Sequence, residues 1–371
     1  MKVVEIISDT NIGGGGRYLL NYLACYDKSR FEVFVVLPRG SALTPRVAEL
    51  GVPFEEIDAM ADKSMDRKAI GILRKILKRE KPDLVHTHGS LSGRIAARMA
   101  GCKVVFTRHC AFPPGRLVSS FPGRIANRAL NTALADGVIA VGEAAKETLV
   151  SSGIPADQIH VMLNGVAPLP VPTAEERREY RSCYGFADGD FVAGILARVE
   201  DYKGHADLLE AVEKLIAQGR GVKLLVAGEG GFEEELRRRA AALPEGSVVF
   251  AGFVSEVERA LGAMDVQVNA SYVSETSSLS LLEGMSMGLP AVVTNCGGNP
   301  LLIADGENGL VVPMRDTGAM AKAIARLMDD PELRAGMSRA ALAIFEEKFT
   351  GQAFARNLEE IYCEIQKGAR K

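Results

Sequence analysis

Two carboxylates eight residues apart, Glu275 and Glu283, bracket the run Ser274-Glu275-Thr276-Ser277-Ser278-Leu279-Ser280-Leu281-Leu282-Glu283-Gly284-Met285. Paired carboxylates in one site work as acid and base, or position a ligand by accepting hydrogen bonds from its hydroxyls. Thr276, Ser277 and Ser278 are good N-caps, and Leu279, Leu282 and Met285 recur at helical spacing, so a helix is predicted to begin near Ser278. Glu275 then stands in the loop before it and Glu283 more than one turn inside. The amides of Ser278 and Leu279 would hold a phosphate at the positive end of that helix. Two Glu at this spacing also arise by chance, and an acidic residue near a helix start is favourable through the dipole alone.

A second group carries the opposite charge. In Leu196-Ala197-Arg198-Val199-Glu200-Asp201-Tyr202-Lys203-Gly204 two cations follow a strand-like run at 191–197. Arginine forks two phosphate oxygens and lysine adds a mobile point charge, which together neutralise a departing diphosphate. The plainer alternative is a pair of surface cations neutralised by Glu200 and Asp201.

A third is Gly13-Gly14-Gly15-Gly16-Arg17, between the first strand and a helix through Tyr18. Bare backbone there admits an anion or a sugar hydroxyl, or simply makes a tight turn. It lacks the spacing of G-x-G-x-x-G and the Lys-Ser/Thr ending of a P-loop, which argues against dehydrogenases and ATPases. Of the five histidines, His109 ends a predicted strand, where an imidazole is either a hydrogen-bonding group for a ligand or a satisfied packing histidine. His86 and His88 flank another strand end, but no carboxylate stands at ligand spacing beside them, and no metal requirement is expected. The six cysteines are scattered without C-x-x-C spacing, which suits a reduced cytosol.

These residues require a scaffold. Short β-branched runs at 3–7, 31–37, 84–88, 104–107 and 137–141 alternate with stretches of helical period such as 67–79, the pattern of a parallel sheet covered by helices. Val33-Phe34-Val35-Val36-Leu37 shows no alternation because a parallel strand is buried on both faces. A connector with three prolines at 164–173 marks a domain boundary, after which strands restart at 191–197, 222–227, 247–251, 266–270 and 291–294. At roughly 150 residues per domain, 371 residues make two domains. The last stretch, 350–365, spaces Phe354, Leu358, Ile361 and Ile365 as a closing helix. Ligands of such open sheets bind beyond the carboxyl ends of the strands.

Composition adds limits. There is no long apolar run, and the first ten residues read as a strand rather than a signal peptide, so a cytoplasmic protein is expected. Residues 1–170 carry 22 Lys and Arg against 16 Asp and Glu, and the remainder 22 against 31. Residues 104–135 hold Arg108, Arg116, Arg124 and Arg128 and no acid, with Phe112, Leu117, Val118, Phe121 and Ile125 between them. Such a segment suits an anionic bilayer. Residues 63–81 carry eight Lys and Arg at helical period, which fits either a membrane contact or a solvated helix face.

Taken in order, these motifs resemble the family 4 retaining glycosyltransferases of GT-B fold. Glu275 and Glu283 match their E-x7-E, and Gly288-Leu289-Pro290-Ala291-Val292-Val293 looks like their G-x-P-V-V strand. The loop Arg198 to Gly204, Gly228-Glu229-Gly230, Val249-Phe250-Ala251-Gly252-Phe253 and Gly306-Glu307-Asn308-Gly309-Leu310-Val311-Val312 have counterparts too. So do the glycine run, Val85-His86-Thr87-His88, Thr107-Arg108-His109 and Asn164-Gly165-Val166, so that the likeness covers nearly the whole chain. Departures are Pro300-Leu301 where Pro-Glu is usual, and Thr276-Ser277 where an aromatic-Gly pair often follows the first Glu.

The resemblance implies two Rossmann-like doubly wound α/β domains facing a cleft. Residues 1–167, with 352–371 packing back on them, would form the acceptor side, and residues 168–351 would bind the nucleotide sugar. Glu283 would hold the ribose, Glu275 the sugar hydroxyls, Arg198 and Lys203 the diphosphate, and Phe253 and Val254 would border the base. His109 would lie beside the reacting sugar, with the backbone of Gly14 and Gly15 close by. The implied activity is transfer from a nucleoside-diphosphate sugar, as co-substrate and without a metal or other cofactor, to a glycan or lipid-linked acceptor. Peripheral docking at the inner membrane face goes with that reading, and nucleic acid does not. The rivals are a nucleotide-sugar 2-epimerase on the same fold and a sugar-nucleotide-binding subunit without turnover.

Overall fold

The computed structural model describes residues 1–368, which fold as two compact α/β units. One comprises Met1–Gly165 and the chain from Gly351 onward, the other Val166–Thr350. In the first, strands β1 (Lys2–Ile7), β2 (Glu32–Pro38), β3 (Phe54–Ile57), β4 (Leu84–His88), β5 (Lys103–Arg108), β6 (Gly137–Ala140) and β7 (Ile159–Val161) form one parallel sheet in the order β3-β2-β1-β4-β5-β6-β7. In the second, β8 (Phe191–Leu196), β9 (Val222–Ala227), β10 (Val248–Gly252), β11 (Val266–Asn269), β12 (Ala291–Thr294) and β13 (Gly309–Val312) form another in the order β10-β9-β8-β11-β12-β13. Strand order reverses at β1 and again at β8. At such a switch the connections leave in opposite directions and open a crevice above the carboxyl ends of the strands.

The central strands are buried on both faces: Val3, Val4, Ile6 and Ile7 of β1 are fully covered. β3, β7 and β13, absent from the strand runs read in the sequence, are all edge strands. They read Phe-Glu-Glu-Ile, Ile-His-Val and Gly-Leu-Val-Val, too short or too polar to give a continuous apolar run.

From Val166 on, the proline-rich connector belongs to the second unit. Leu169 donates its N–H to Ser286 Oγ at 3.1 Å, and Thr173 closes a capping box with Glu176 on the helix Ala174–Cys183. Val166 pairs with Thr350 and donates to the Phe349 carbonyl at 3.1 Å, so the two crossing segments lie side by side. That pairing sets the division at Gly165 and Gly351, where the sequence suggested 167 and 352. The closing helix Gly351–Lys367 inserts Phe354, Leu358, Tyr362 and Ile365 into the first core. Each such large apolar side chain, once buried, contributes roughly 1.5–3 kcal/mol.

Candidate functional site

At the carboxyl end of β11 the chain runs through Asn269 and Ser271 to Glu275, which is 8% exposed. Three donors converge on Glu275 Oε2: Lys203 Nζ at 2.8 Å, Ser271 Oγ at 2.9 Å and Asn269 Nδ2 at 3.1 Å. Burial alone would raise this carboxyl's pKa, but the Lys203 ammonium and the hydrogen bonds outweigh it and hold the group below its ordinary value, hence anionic at neutral pH. No donor among the described residues reaches Oε1. Asn269 Nδ2 also bonds Ser278 Oγ at 3.3 Å, and Ser278 caps the helix Leu279–Ser286. Glu283, on the second turn of that helix, is buried at 4% exposure.

Glycine holds the carboxylate loop in place. A Cβ on Gly297 would lie 2.0 Å from the Glu275 carbonyl oxygen, and one on Gly298 1.5 Å from that of Thr276. Gly298 N–H donates to the Glu275 carbonyl at 3.1 Å. The turn after β12 is thus a backbone support for the loop carrying Glu275. Leu301, where the family has Glu, is 47% exposed and brings no charge to this cluster.

Lys203 and Arg198 differ in setting. Lys203 ends a single 3-10 turn, Asp201–Lys203, and is partly buried against Glu275. Arg198 is exposed, and its Nη2 donates to Tyr202 Oη at 3.0 Å rather than pairing with Glu200 or Asp201. Asp201 instead accepts from Tyr272 Oη at 2.6 Å. The loops after β8, β9 and β10 are tied together: Val199 N–H donates to the Glu229 carbonyl at 2.9 Å, Gly228 N–H to Gly252 at 2.7 Å, and Phe253 N–H to Glu229 Oε1 at 3.2 Å. Phe253 turns its ring outward, 75% exposed, while Val254 packs on the apolar cluster around Val192 and Leu225.

In the first unit the glycine run opens the helix Gly14–Cys25. A Cβ on Gly14 would meet nothing within 4 Å, whereas one on Gly15 would lie 3.2 Å from Asp9 Oδ2 and 3.3 Å from His109 Cδ2. Gly14 therefore borders open space, and Gly15 lets the helix start sit against His109. His109 Nε2 is 2.9 Å from His88 Nδ1, and His88 Nε2 is 2.9 Å from Glu5 Oε2. Tyr362 Oη donates to Glu5 Oε1 at 2.8 Å and lies 2.6 Å from His86 Nδ1, while His86 Nε2 lies 2.6 Å from Thr107 Oγ1. Burial would raise the Glu5 pKa, but His86 and His88 pull it far below the carboxylate range. Burial, with the neighbouring histidines, lowers His88 and takes His109 well below its ordinary value, so both imidazoles are neutral at pH 7.

The sequence reading missed Glu5, and with it the carboxylate partner of His86 and His88. The sheet register sets Glu5 beside His86, and the ligand atoms of Glu5, His86 and His88 lie within 4.8 Å of one another. The reason given for discounting a metal, the lack of a nearby carboxylate, is thereby corrected. All three side chains are fully buried and bonded to one another, to Tyr362, Thr107 and His109. The available signal was a charge in the middle of Val3-Val4-Glu5-Ile6-Ile7. Asn269 and Ser271 were missed as well; Asn269 alone left a signal, as a polar residue closing Val266-Gln267-Val268-Asn269.

The two basic segments separate. The helix Arg67–Glu80 buries Ala69, Leu73, Ile76 and Leu77 and exposes Arg67, Lys68, Lys75, Lys78 and Arg79, with Arg74 partly buried. The helix Phe121–Leu134 buries Asn131 alone. Leu117, Phe121 and Ile125 are 83%, 80% and 56% exposed, with Arg116, Arg124 and Arg128 exposed among them. No helix among the described residues is long and apolar enough to cross a membrane.

Comparison with known proteins agrees with this architecture. Residues 12–168 match the family model described as Glycosyltransferase Family 4, and residues 190–330 the one described as Glycosyl transferases group 1. Alpha-D-kanosaminyltransferase of Streptomyces kanamyceticus is 30% identical over 310 residues, 79% of this chain and 80% of that one. The UDP-Gal:alpha-D-GlcNAc-diphosphoundecaprenol alpha-1,3-galactosyltransferase of Escherichia coli is 28% identical over 287 residues, 72% of each chain. The crystal structure of Anabaena Alr3699/HepE in complex with UDP shares the fold, with a TM-score of 0.84 at 20% identity over 98% of this chain and 100% of that one. Two consecutive domain models, a relative alike over most of both chains, and two parallel Rossmann-like sheets give one conclusion: the chain belongs to the family 4 glycosyltransferases of GT-B fold.

Proposed function

We propose that this glycosyltransferase moves a sugar from a nucleoside-diphosphate sugar to a hydroxyl acceptor with retention at the anomeric carbon, in the synthesis of a cell-envelope or surface polysaccharide. The observation that carries this reading is the asymmetric Glu275 carboxylate. One oxygen is saturated by Lys203, Asn269 and Ser271, and the other remains for a sugar hydroxyl beside a helix N-terminus.

In this reading Arg198, Lys203 and the Ser278 and Leu279 amides take up the charge of the departing diphosphate, the contribution that usually dominates such catalysis. Glu283 accepts from the ribose, Phe253 and Val254 border the base, and His109 with the Gly14 and Gly15 backbone meets the sugar. The acceptor oxygen bonds to the anomeric carbon on the face the diphosphate leaves. The C–O electron pair departs with the diphosphate, and the acceptor proton passes to a phosphate oxygen. No carboxylate nucleophile is needed, and the two cations serve where other transferases use a metal.

The acceptor is assigned to the lipid-linked class. The Escherichia coli relative is named for a diphosphoundecaprenol acceptor. Leu117, Phe121 and Ile125 among exposed arginines form an apolar, acid-free face that complements an anionic bilayer at the inner membrane surface.

The first test is melting of the full chain with UDP, GDP and ADP, UDP leading because solved relatives hold it. A ligand at about 100 times its Kd adds about 2.7 kcal/mol. One diphosphate should stabilise, and indifference to all three would overturn the donor assignment. With that donor, the product's anomeric proton coupling should match the donor's, EDTA should leave the rate unchanged, and an inverted product would refute retention. Flotation with anionic vesicles at low salt should carry the protein, and Phe121→Ser should reduce it; no flotation would end the docking assignment.

A further inference from the structure

Each imidazole nitrogen taken from water needs a partner of the right kind, a donor for a bare nitrogen and an acceptor for a protonated one. In the first unit the chain Glu5, His88, His109 has its direction set at one end. Glu5 is an ionised carboxylate and only accepts, so His88 Nε2, at 2.9 Å, carries a proton. His88 is neutral, which leaves a lone pair on Nδ1. His109 Nε2, 2.9 Å away, must then be the donor. His109 is neutral too, so its Nδ1 has no proton. No group among the described residues bonds that Nδ1, and His109 is only half-buried.

The remaining contacts reinforce the direction. Tyr362 Oη donates to the second Glu5 oxygen, so neither oxygen of Glu5 is left to rotate the arrangement. The His88 and His109 rings are tilted by only 24° with centroids 5.2 Å apart, the nearly coplanar edge-to-edge arrangement that their hydrogen bond requires, and Tyr18 meets His109 edge-on with centroids 4.9 Å apart, which fixes the ring plane. Gly15 presses its backbone to within van der Waals reach of the same ring.

We propose that Glu5 and His88 are positioning residues that lock His109 in its Nε2–H tautomer, so that Nδ1 is presented to the ligand as an obligate hydrogen-bond acceptor. His109 then selects a hydroxyl donor and cannot itself donate. This rests on the reading that His109 meets the transferred sugar, but the tautomer is measurable without that reading.

The experiment is 15N-histidine labelling of the full chain, with the five histidines assigned through His109→Gln. In the wild type, long-range 15N–1H spectra at pH 7 should show a protonated-type shift on His109 Nε2 and an unprotonated-type shift on Nδ1. In Glu5→Gln the amide donates as readily as it accepts, so the two His109 shifts should move toward each other. In His88→Gln, whose amide still reaches Glu5 but not His109, they should move the same way. Both variants should lower kcat about fivefold to tenfold, the value of one neutral hydrogen bond, with nucleotide affinity unchanged. Melting curves confirm that the variants are folded.

A proton on His109 Nδ1 in the wild type overturns the proposal. So does a stoichiometric metal, found by elemental analysis and lost in Glu5→Gln, since a cation would then occupy the place of the proton. Mixed tautomers with unchanged kcat refute the part played in transfer. A correct tautomer in a chain that transfers no sugar refutes the transfer reading and leaves the lock standing.

Discussion

Glu5 in the first unit and Glu275 in the second are both buried carboxylates near the strand at which the sheet order reverses, and they are used in opposite ways. Glu5 has both oxygens engaged, by His88 and His86 on one side and Tyr362 on the other. Glu275 gathers three donors on Oε2 and keeps Oε1 for something else. A fully satisfied buried network specifies an arrangement, whereas a partly satisfied one offers a binding position. In the proposed reading the difference divides the work: the first unit orients an imidazole, and the second holds charge ready for a ligand.

Lys203→Ala sharpens that contrast most. Glu275 would keep Asn269 and Ser271, so the destabilisation should stay near about 1–2 kcal/mol, below the 3–5 typical of a fully broken buried pair. Transfer should fall about 100- to 1,000-fold, as when one charge-stabilising donor is removed. Steady-state kinetics beside thermal melting checks both numbers. A rate within tenfold of wild type would mean that Lys203 only supports Glu275, and the second network would then be as closed as the first.

The two networks also differ in how much of them the sequence shows. Glu275, Ser278 and Glu283 lie in one short segment, and Arg198 and Lys203 in another, so spacing and capping chemistry expose them. The partner of His109 is spread over β1, β4 and the closing helix, which only the strand order brings together. Register is invisible to a scan along the chain, so Glu5 read as an oddity in a strand. Other limits hid β3, β7 and β13: Phe-Glu-Glu-Ile and Ile-His-Val are interrupted by polar residues, and Gly-Leu-Val-Val offers only three apolar side chains in a row. Central strands, the proline-rich crossing and the closing helix were legible because burial and backbone stiffness act locally.

Glycine substitutions break the comparison at a second point. Gly298→Ala sets a Cβ against the Thr276 carbonyl, a backbone atom that moves only if the Glu275 loop moves. A loss of about 1–3 kcal/mol is expected, with weaker nucleotide binding by calorimetry. Gly14→Ala points into open space and should leave stability within about 0.5 kcal/mol. If Gly14→Ala nonetheless weakens donor affinity, the open face of the first unit is a ligand surface. If Gly298→Ala leaves nucleotide binding intact, the support assigned to that turn is wrong.

The smallest effect concerns acid. His88 and His109 in the first unit and His205 in the second all have pKa values depressed below 6.5, His205 to about 4, chiefly by burial. An unfolded chain binds protons on these residues as pH drops below 6.5, and the native one does not. Their stabilisation is therefore complete above pH 6.5 and is lost as pH falls through the native values. Carboxyls of ordinary value, 3.8 to 4.5, change little above about pH 5, and Asp9, Asp207 and Glu359, which burial raises, act with the opposite sign, so a loss of stability between pH 6.5 and 5 reports the imidazoles. Two of the three lie in the first unit, in one network with Glu5. Amide hydrogen exchange across that interval should show β1, β4 and β5 losing protection before β8 and β11. The reverse order would place the more proton-sensitive network around His205 and would remove the closed character assigned to the Glu5 cluster.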